Sequence, residues 1–111
     1  MTVEPWKVRQ TQGARQDRAS IVRWTIRQFG PRQAQTYAET IALAMAALRD
    51  GPNTIGVKRR DDLPPGILTL HVARNGRKGS HFIVFRVSGE RIIDVLRILH
   101  DGMDLPNRLL F

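Results

Sequence analysis

The side chains in this sequence with the means to do chemistry are three histidines, His71, His81 and His100, and a set of cations in the second half of the chain: Arg74, Arg77, Lys78, Arg86 and Arg97. Imidazoles move protons near neutral pH, and guanidinium groups grip phosphates or carboxylates through paired N–H donors. The absence of cysteine removes disulfides, thiolate metal ligands and a thiol nucleophile together. The histidines show no HxxxH or comparable metal spacing, and no glycine-rich nucleotide motif follows a strand, so no cofactor and no metal are expected. Ser80 and Ser88 offer hydroxyls, but nothing sets either on a strained turn beside a base, and a Ser-His-Asp arrangement is not expected.

Charge supplies the second constraint. Eighteen Lys and Arg against ten Asp and Glu give a formal net charge of +8 in 111 residues, and Arg outnumbers Lys fifteen to three. A field of this sign speeds encounter with anionic partners, whether nucleic acid, an acidic protein or an enzyme already bound to DNA. The composition, 41% hydrophobic and 25% charged, is that of a folded chain. Its length suits one domain over residues 1–111. No apolar run is long enough to span a membrane, and MTVEPWKVRQ lacks the pattern of a signal peptide, so a cytoplasmic protein is expected.

The elements that must position these residues follow from periodicity. Trp6 to Gln10 alternates apolar and polar side chains and reads as a strand near a sheet edge. From about Ala14 to Phe29, the residues Ile21, Val22, Trp24, Ile26 and Phe29 cover a broad arc of one helix, with Ser20, Arg23 and Arg27 opposite. Gly30-Pro31 ends it and opens a second helix to about Arg49, stopped by Asp50-Gly51-Pro52. Tyr37 and Met45 fall on its apolar face and are assigned to the core. Asn53 to Gly66, with two prolines, two glycines and five charges, reads as an exposed connection in which Lys58-Arg59-Arg60 is neutralised by Asp61-Asp62. Ile67 to Ala73 is a strand, and the loop that follows turns at Asn75-Gly76 and displays Arg74, Arg77 and Lys78 together. HFIVFRV and RIIDVLRILH form a central β-hairpin about Ser88-Gly89 with apolar side chains on both faces. The order strand, helix, helix, three strands defines an α+β fold in two layers, a helical hairpin on an antiparallel sheet.

The stretch GSHFIVFRV followed by RIIDVLRILHDGMD resembles the carboxy-terminal signature of ParE toxins, members of the RelE/ParE superfamily of bacterial toxin–antitoxin modules. Ala14, Asp17 and Ile21 match the Ala-x-x-Asp-x-x-x-Ile spacing that opens the first helix of that family, so the resemblance reaches both ends of the chain. It implies the toxin of a type II toxin–antitoxin module of the plasmid-stabilisation kind. Such a toxin inhibits DNA gyrase by trapping its cleaved DNA complex, can meet DNA indirectly through its partners, and is neutralised in a hetero-oligomer with a ParD-like antitoxin. No enzymatic activity of its own is implied.

The RelE branch of the superfamily cleaves messenger RNA at the ribosome, and His81 or His100 with Arg74, Arg86 and Arg97 could serve such a reaction. Against it, the only tyrosine is Tyr37, and Phe85 stands before Arg86 where many relatives carry Tyr. A third reading is a toxin-derived domain that only binds DNA or an antitoxin. The residues expected to meet the target are Arg74, Arg77, Lys78, Arg86, Arg97 and His100. Arg86 and Arg97 could equally pair with Asp94, Glu90 or helix acids, and His100 could cap the end of its strand. Trp24 and Phe29, on an arc broader than one sheet can cover, are expected to meet the antitoxin. The tail from Gly102 to Phe111, with Leu109-Leu110-Phe111 at its end, could pack back or face a partner.

Overall fold

The computed structural model describes residues 4–104, which leaves the Leu109-Leu110-Phe111 cluster outside the described residues. Two nine-residue strands, here β4 (His81–Gly89) and β5 (Ile92–His100), form the centre of a five-stranded sheet. Their β-branched and aromatic residues suit a surface packed on both sides. The reversal falls at Glu90-Arg91, slightly later than the Ser88-Gly89 expected, because Gly89 still pairs with Ile92. Arg91 takes the left-handed conformation, at φ 54°, that a tight turn demands and few side chains adopt. Its guanidinium lies 5.6 Å from the Trp6 ring centroid, a cation–π contact that anchors the turn.

Strand β1 (Lys7–Gln10) runs parallel to β5, with Lys7 opposite Ile92 and Gln10 opposite Val95. The sheet is therefore mixed, in spatial order β1, β5, β4, β3, β2. Strand β3 (Leu68–His71) pairs antiparallel with β4, and a two-residue strand, β2 (Lys58–Arg59), pairs with β3 inside the segment read from sequence as a connection. A short basic strand at that end blunts an edge that would otherwise invite pairing by another chain. The same segment also buries Leu63.

The helical hairpin joins α1 (Gln12–Phe29) to α2 (Pro31–Ala47), which tightens into a single 3-10 turn over Leu48–Asp50. Thr11 caps α1. Its hydroxyl oxygen accepts from the Ala14 N–H at 3.1 Å and its hydroxyl hydrogen is donated to the Leu96 carbonyl at 2.7 Å, tying the helix start to β5. Gly30, at φ 90°, turns the chain before Pro31. Gly51 is required on two counts: φ is 98°, and a Cβ there would stand 2.8 Å from Trp6 Nε1.

Helices cover one sheet face, and Ile41, Met45, Leu48, Leu70, Ile83 and Phe85 form the main core between the layers. On the other face Leu63 and Ile67 close over Val84, Leu96 and Leu99. Both clusters draw on β5, as alternation on a central strand requires, and that strand carries one extra residue: Val84 opposes Arg97 and Phe85 opposes Val95, leaving Leu96 unmatched. The bulge shifts the alternation by one, so Ile93, Val95 and Ile98 face the helices while Leu96 and Leu99 face away.

Candidate toxin–partner surface

The helical hairpin is not fully covered by the sheet. Only Ala14 and Thr25 of α1 are fully buried, while Trp24 and Phe29 remain 51% and 59% exposed. Their rings meet edge to face at 5.9 Å, on one wall of an open groove of about 710 Å³. The opposite wall is the β3–β4 loop with Arg77 and Lys78, and Tyr37 and His81 lie at its base. The structure thus brings the two residues expected to meet an antitoxin to the same groove as two of the cations expected to meet the target.

The base of the groove is held by polar bonds that sequence reading assigned to plain core. Tyr37 Oη accepts the Ser80 N–H at 2.9 Å and lies 2.6 Å from His81 Nδ1. Where the phenol donates to Nδ1, His81 is the neutral tautomer protonated on Nε2. Burial, followed by repulsion from His100, lowers the His81 pKa to about 4. Glycine is needed alongside, since a Cβ at Gly79 would meet Val72 Cγ2 at 2.5 Å.

A pH dependence of stability follows from His81. The unfolded imidazole titrates near 6.5, so the unfolded chain takes up the proton first as pH falls. The contribution of neutral His81 is complete above about pH 6.5 and is lost as pH drops toward 4, by about 1–2 kcal/mol once solvent screening is allowed for. Urea midpoints at pH 6.5 and 4.5 should differ less in His81→Asn than in the wild type; identical differences would contradict this assignment.

The cations divide by what they touch. Arg77 is a fastener: its guanidinium donates to Thr40 Oγ1 at 2.9 Å and the Thr36 carbonyl at 3.1 Å, and approaches Glu39 at 3.4 Å, clamping the loop to α2. Arg74 donates to the Ile55 carbonyl at 3.1 Å. Lys78 stands on the groove wall. Arg86 is exposed opposite Asp94 in register, but that carboxylate is held by Arg9 at 2.7 and 3.1 Å and by the Ser88 hydroxyl at 2.6 Å. Arg9 and then Ser88 keep Asp94 below the usual carboxylate range.

Arg97 pairs with a helix acid. Its Nε and Nη2 donate to the two oxygens of Asp17 at 2.7 and 3.0 Å, and Asp17 Oδ2 also accepts the Ile98 N–H at 2.9 Å. Beyond Gln10 the strand β1 has ended, so Asp17 takes over the pairing of the β5 edge. The Ala14, Asp17 and Ile21 spacing carried that signal without revealing the partner.

His100 ends β5 in a capping arrangement, with Nδ1 accepting the Gly102 N–H at 2.9 Å. Its ring meets that of His81 at 5.4 Å, and both border a shallow pocket of about 200 Å³ that Arg97 also lines. His71 lies nearby: Nδ1 accepts the Ala73 N–H and Nε2 donates to Asp101 at 2.9 Å, which holds the Asp101 carboxyl below its ordinary pKa. Among the described residues, no group of His, Asp and Glu is arranged to hold a metal ion.

A mixed five-stranded sheet lies under an antiparallel helical hairpin, with an apolar groove left open beside Trp24 and Phe29. The chain belongs to the ParE toxin family: the family model "ParE toxin of type II toxin-antitoxin system, parDE" matches residues 8–105. It is 34% identical over 85 residues to Toxin ParE1 of Mycobacterium tuberculosis, in strains CDC 1551 / Oshkosh and H37Rv alike, covering 77% of this chain and 79% of the relative. Among solved structures it is similar to one described as the chromosomal ParDE toxin–antitoxin system from P. aeruginosa, with TM-score 0.71, 23% identity, and 86% and 95% of the two chains covered. A second, the toxin–antitoxin complex RelBE2 of Mycobacterium tuberculosis, gives TM-score 0.55 at 23% identity over 89% and 94%. This protein is a toxin of a type II toxin–antitoxin system.

Proposed function

We propose that this toxin acts by inhibiting DNA gyrase, without chemistry of its own, and that a ParD-like antitoxin neutralises it by laying an amphipathic segment into the groove beside Trp24 and Phe29. Membership of the ParE family over residues 8–105 is the observation that carries the reading. The groove supports the antitoxin half, because exposed aromatic rings flanked by Arg77 and Lys78 suit an apolar helix face bordered by carboxylates. Arg74, Lys78 and Arg86, on exposed or rim positions, are the cations best suited to a gyrase–DNA complex. Arg77 and Arg97 contribute first by holding the fold.

One arrangement favours messenger RNA cleavage as the alternative: His81, His100 and Arg97 share a small pocket. The state of those groups weighs against it. At pH 7 a histidine with a pKa near 4 is neutral and weakly basic, so it neither delivers a proton nor accepts one efficiently. Arg97 has its charge compensated by Asp17.

The two readings separate on substitution. Induced expression of His81→Asn and of His100→Gln, each shown to be folded by circular dichroism, should still arrest growth. Loss of toxicity in either folded variant, together with messenger RNA cut by the wild type and left intact by that variant, would transfer the protein to the RNA-cleaving branch.

A further inference from the structure

The outward face of α1 has no role in the groove or in the core. At helical spacing its centre line runs through Gln16, Ser20, Arg23 and Arg27, with Arg15 on its N-terminal flank, and all five are exposed. The only acid in α1 is Asp17, which is turned toward β5 and occupied by Arg97. Among the described residues none of Arg15, Arg23 and Arg27 forms an ion pair; Arg23 only donates to the Ser20 hydroxyl at 3.2 Å. The centre line thus offers guanidinium, amide and hydroxyl donors, no carboxylate and no apolar anchor.

That composition decides the class of partner. A surface that captures a peptide or an acidic protein places a buried aromatic or aliphatic anchor among its charges. The exposed large apolar residues of α1 are Trp24 and Phe29, at the groove, and Ile26, roughly 90° round the helix from this line, so none stands among the charges of the line itself. Contacts to a nucleic-acid backbone come instead from Arg, Gln and Ser side chains reaching phosphate oxygens. From Gln16 to Arg27 the helix extends about 16 Å, a length along which duplex DNA presents on the order of ten phosphate charges.

We propose that the outward face of α1, through Arg23 and Arg27, binds the phosphate backbone of duplex DNA directly. The contact is independent of sequence and of the target the toxin attacks. It concentrates the protein on DNA and leaves the Trp24–Phe29 groove free.

The test uses the full-length toxin and a fluorescent duplex of about 20 base pairs in anisotropy titrations between about 50 and 200 mM salt. Wild-type affinity should fall steeply with salt. The Arg23→Gln/Arg27→Gln double variant should bind roughly tenfold more weakly, with the slope of log affinity against log salt reduced by about 2. The Lys58→Gln/Arg59→Gln double variant removes the same charge at the opposite sheet edge and should keep the wild-type slope. Absence of wild-type binding at the lowest salt, equal losses in the two double variants, or a polyglutamate competitor that displaces the duplex at matched charge would each overturn the proposal. Gyrase inhibition is read separately, so failure here leaves the reading of the target untouched.

Discussion

Replacing Trp24 and Phe29 together with alanine should weaken binding of the cognate antitoxin by about two to three orders of magnitude while leaving the toxin folded. Both rings are more than half exposed, so their loss removes little from the core. The edge-to-face contact between them is worth about 0.5–1.5 kcal/mol, to which the loss of the covered part of each ring adds, so a urea melt is expected to show a modest loss of stability in a folded protein. In a complex the rings would be desolvated in the middle of a groove about 710 Å³ in volume, the position in which aromatic anchors cost about 2 kcal/mol or more each on truncation. Calorimetric titration of antitoxin into the double variant, with a urea melt of the free toxin beside it, reads both quantities. Unchanged affinity in a folded double variant would remove the groove from the account.

The second large effect concerns Asp17 and Arg97. Asp17 serves three donors at once, two from Arg97 and one from the Ile98 backbone, where the β5 edge has outrun β1. Asp17→Ala strands a part-buried guanidinium and an edge N–H, and should cost about 2–4 kcal/mol. Arg97→Met should cost less than this, because the carboxylate keeps the Ile98 N–H. A double-mutant cycle should return a coupling of about 1–3 kcal/mol, whereas simple additivity would mean the pair is idle. The consequence for function is direct: reduced toxicity in an Arg97 variant is expected to track lost stability. An Arg97→Met protein of wild-type stability that fails to poison cells would assign Arg97 to the target contact instead.

The hairpin at the centre, the two helices with their Gly30-Pro31 junction and the exposure of Trp24 and Phe29 were all legible in the sequence. Each rests on a local signal: alternation in HFIVFRV, turn chemistry at Gly30, and an apolar arc on α1 too wide for a single sheet. What was not legible is non-local. The bulge at Leu96 depends on the register between β4 and β5, and without it Ile98 and Leu99 would exchange faces. The turn at Glu90-Arg91 places a non-glycine residue at positive φ, held by Trp6 from the far end of the chain. Leu63 is a lone apolar residue among prolines and charges, and its burial follows only once β4 and β5 leave their second face open.

The site was legible in part for the same reason. Residue type pointed to the aromatic pair and the cations as candidates, and the structure places Trp24, Phe29, Arg77 and Lys78 around one groove. Which cations are free was settled by partners many residues away. Arg77 reaches back to Thr36 and Thr40, Arg97 to Asp17 and Arg74 to the Ile55 carbonyl, so three of the six residues expected at the target surface place donors inside the fold. The ring of Tyr37 packs against the main core, as its place on the apolar face of α2 implied. Its hydroxyl, bonded to Ser80 and His81, is what shapes the base of the groove.

The most direct test of the central claim is a plasmid assay with purified gyrase and this toxin, run beside a ribosome-programmed messenger RNA cleavage assay. The account predicts loss of supercoiling with accumulation of linear DNA, reversed by antitoxin, and intact messenger RNA. Unimpaired gyrase together with cleaved RNA would contradict it.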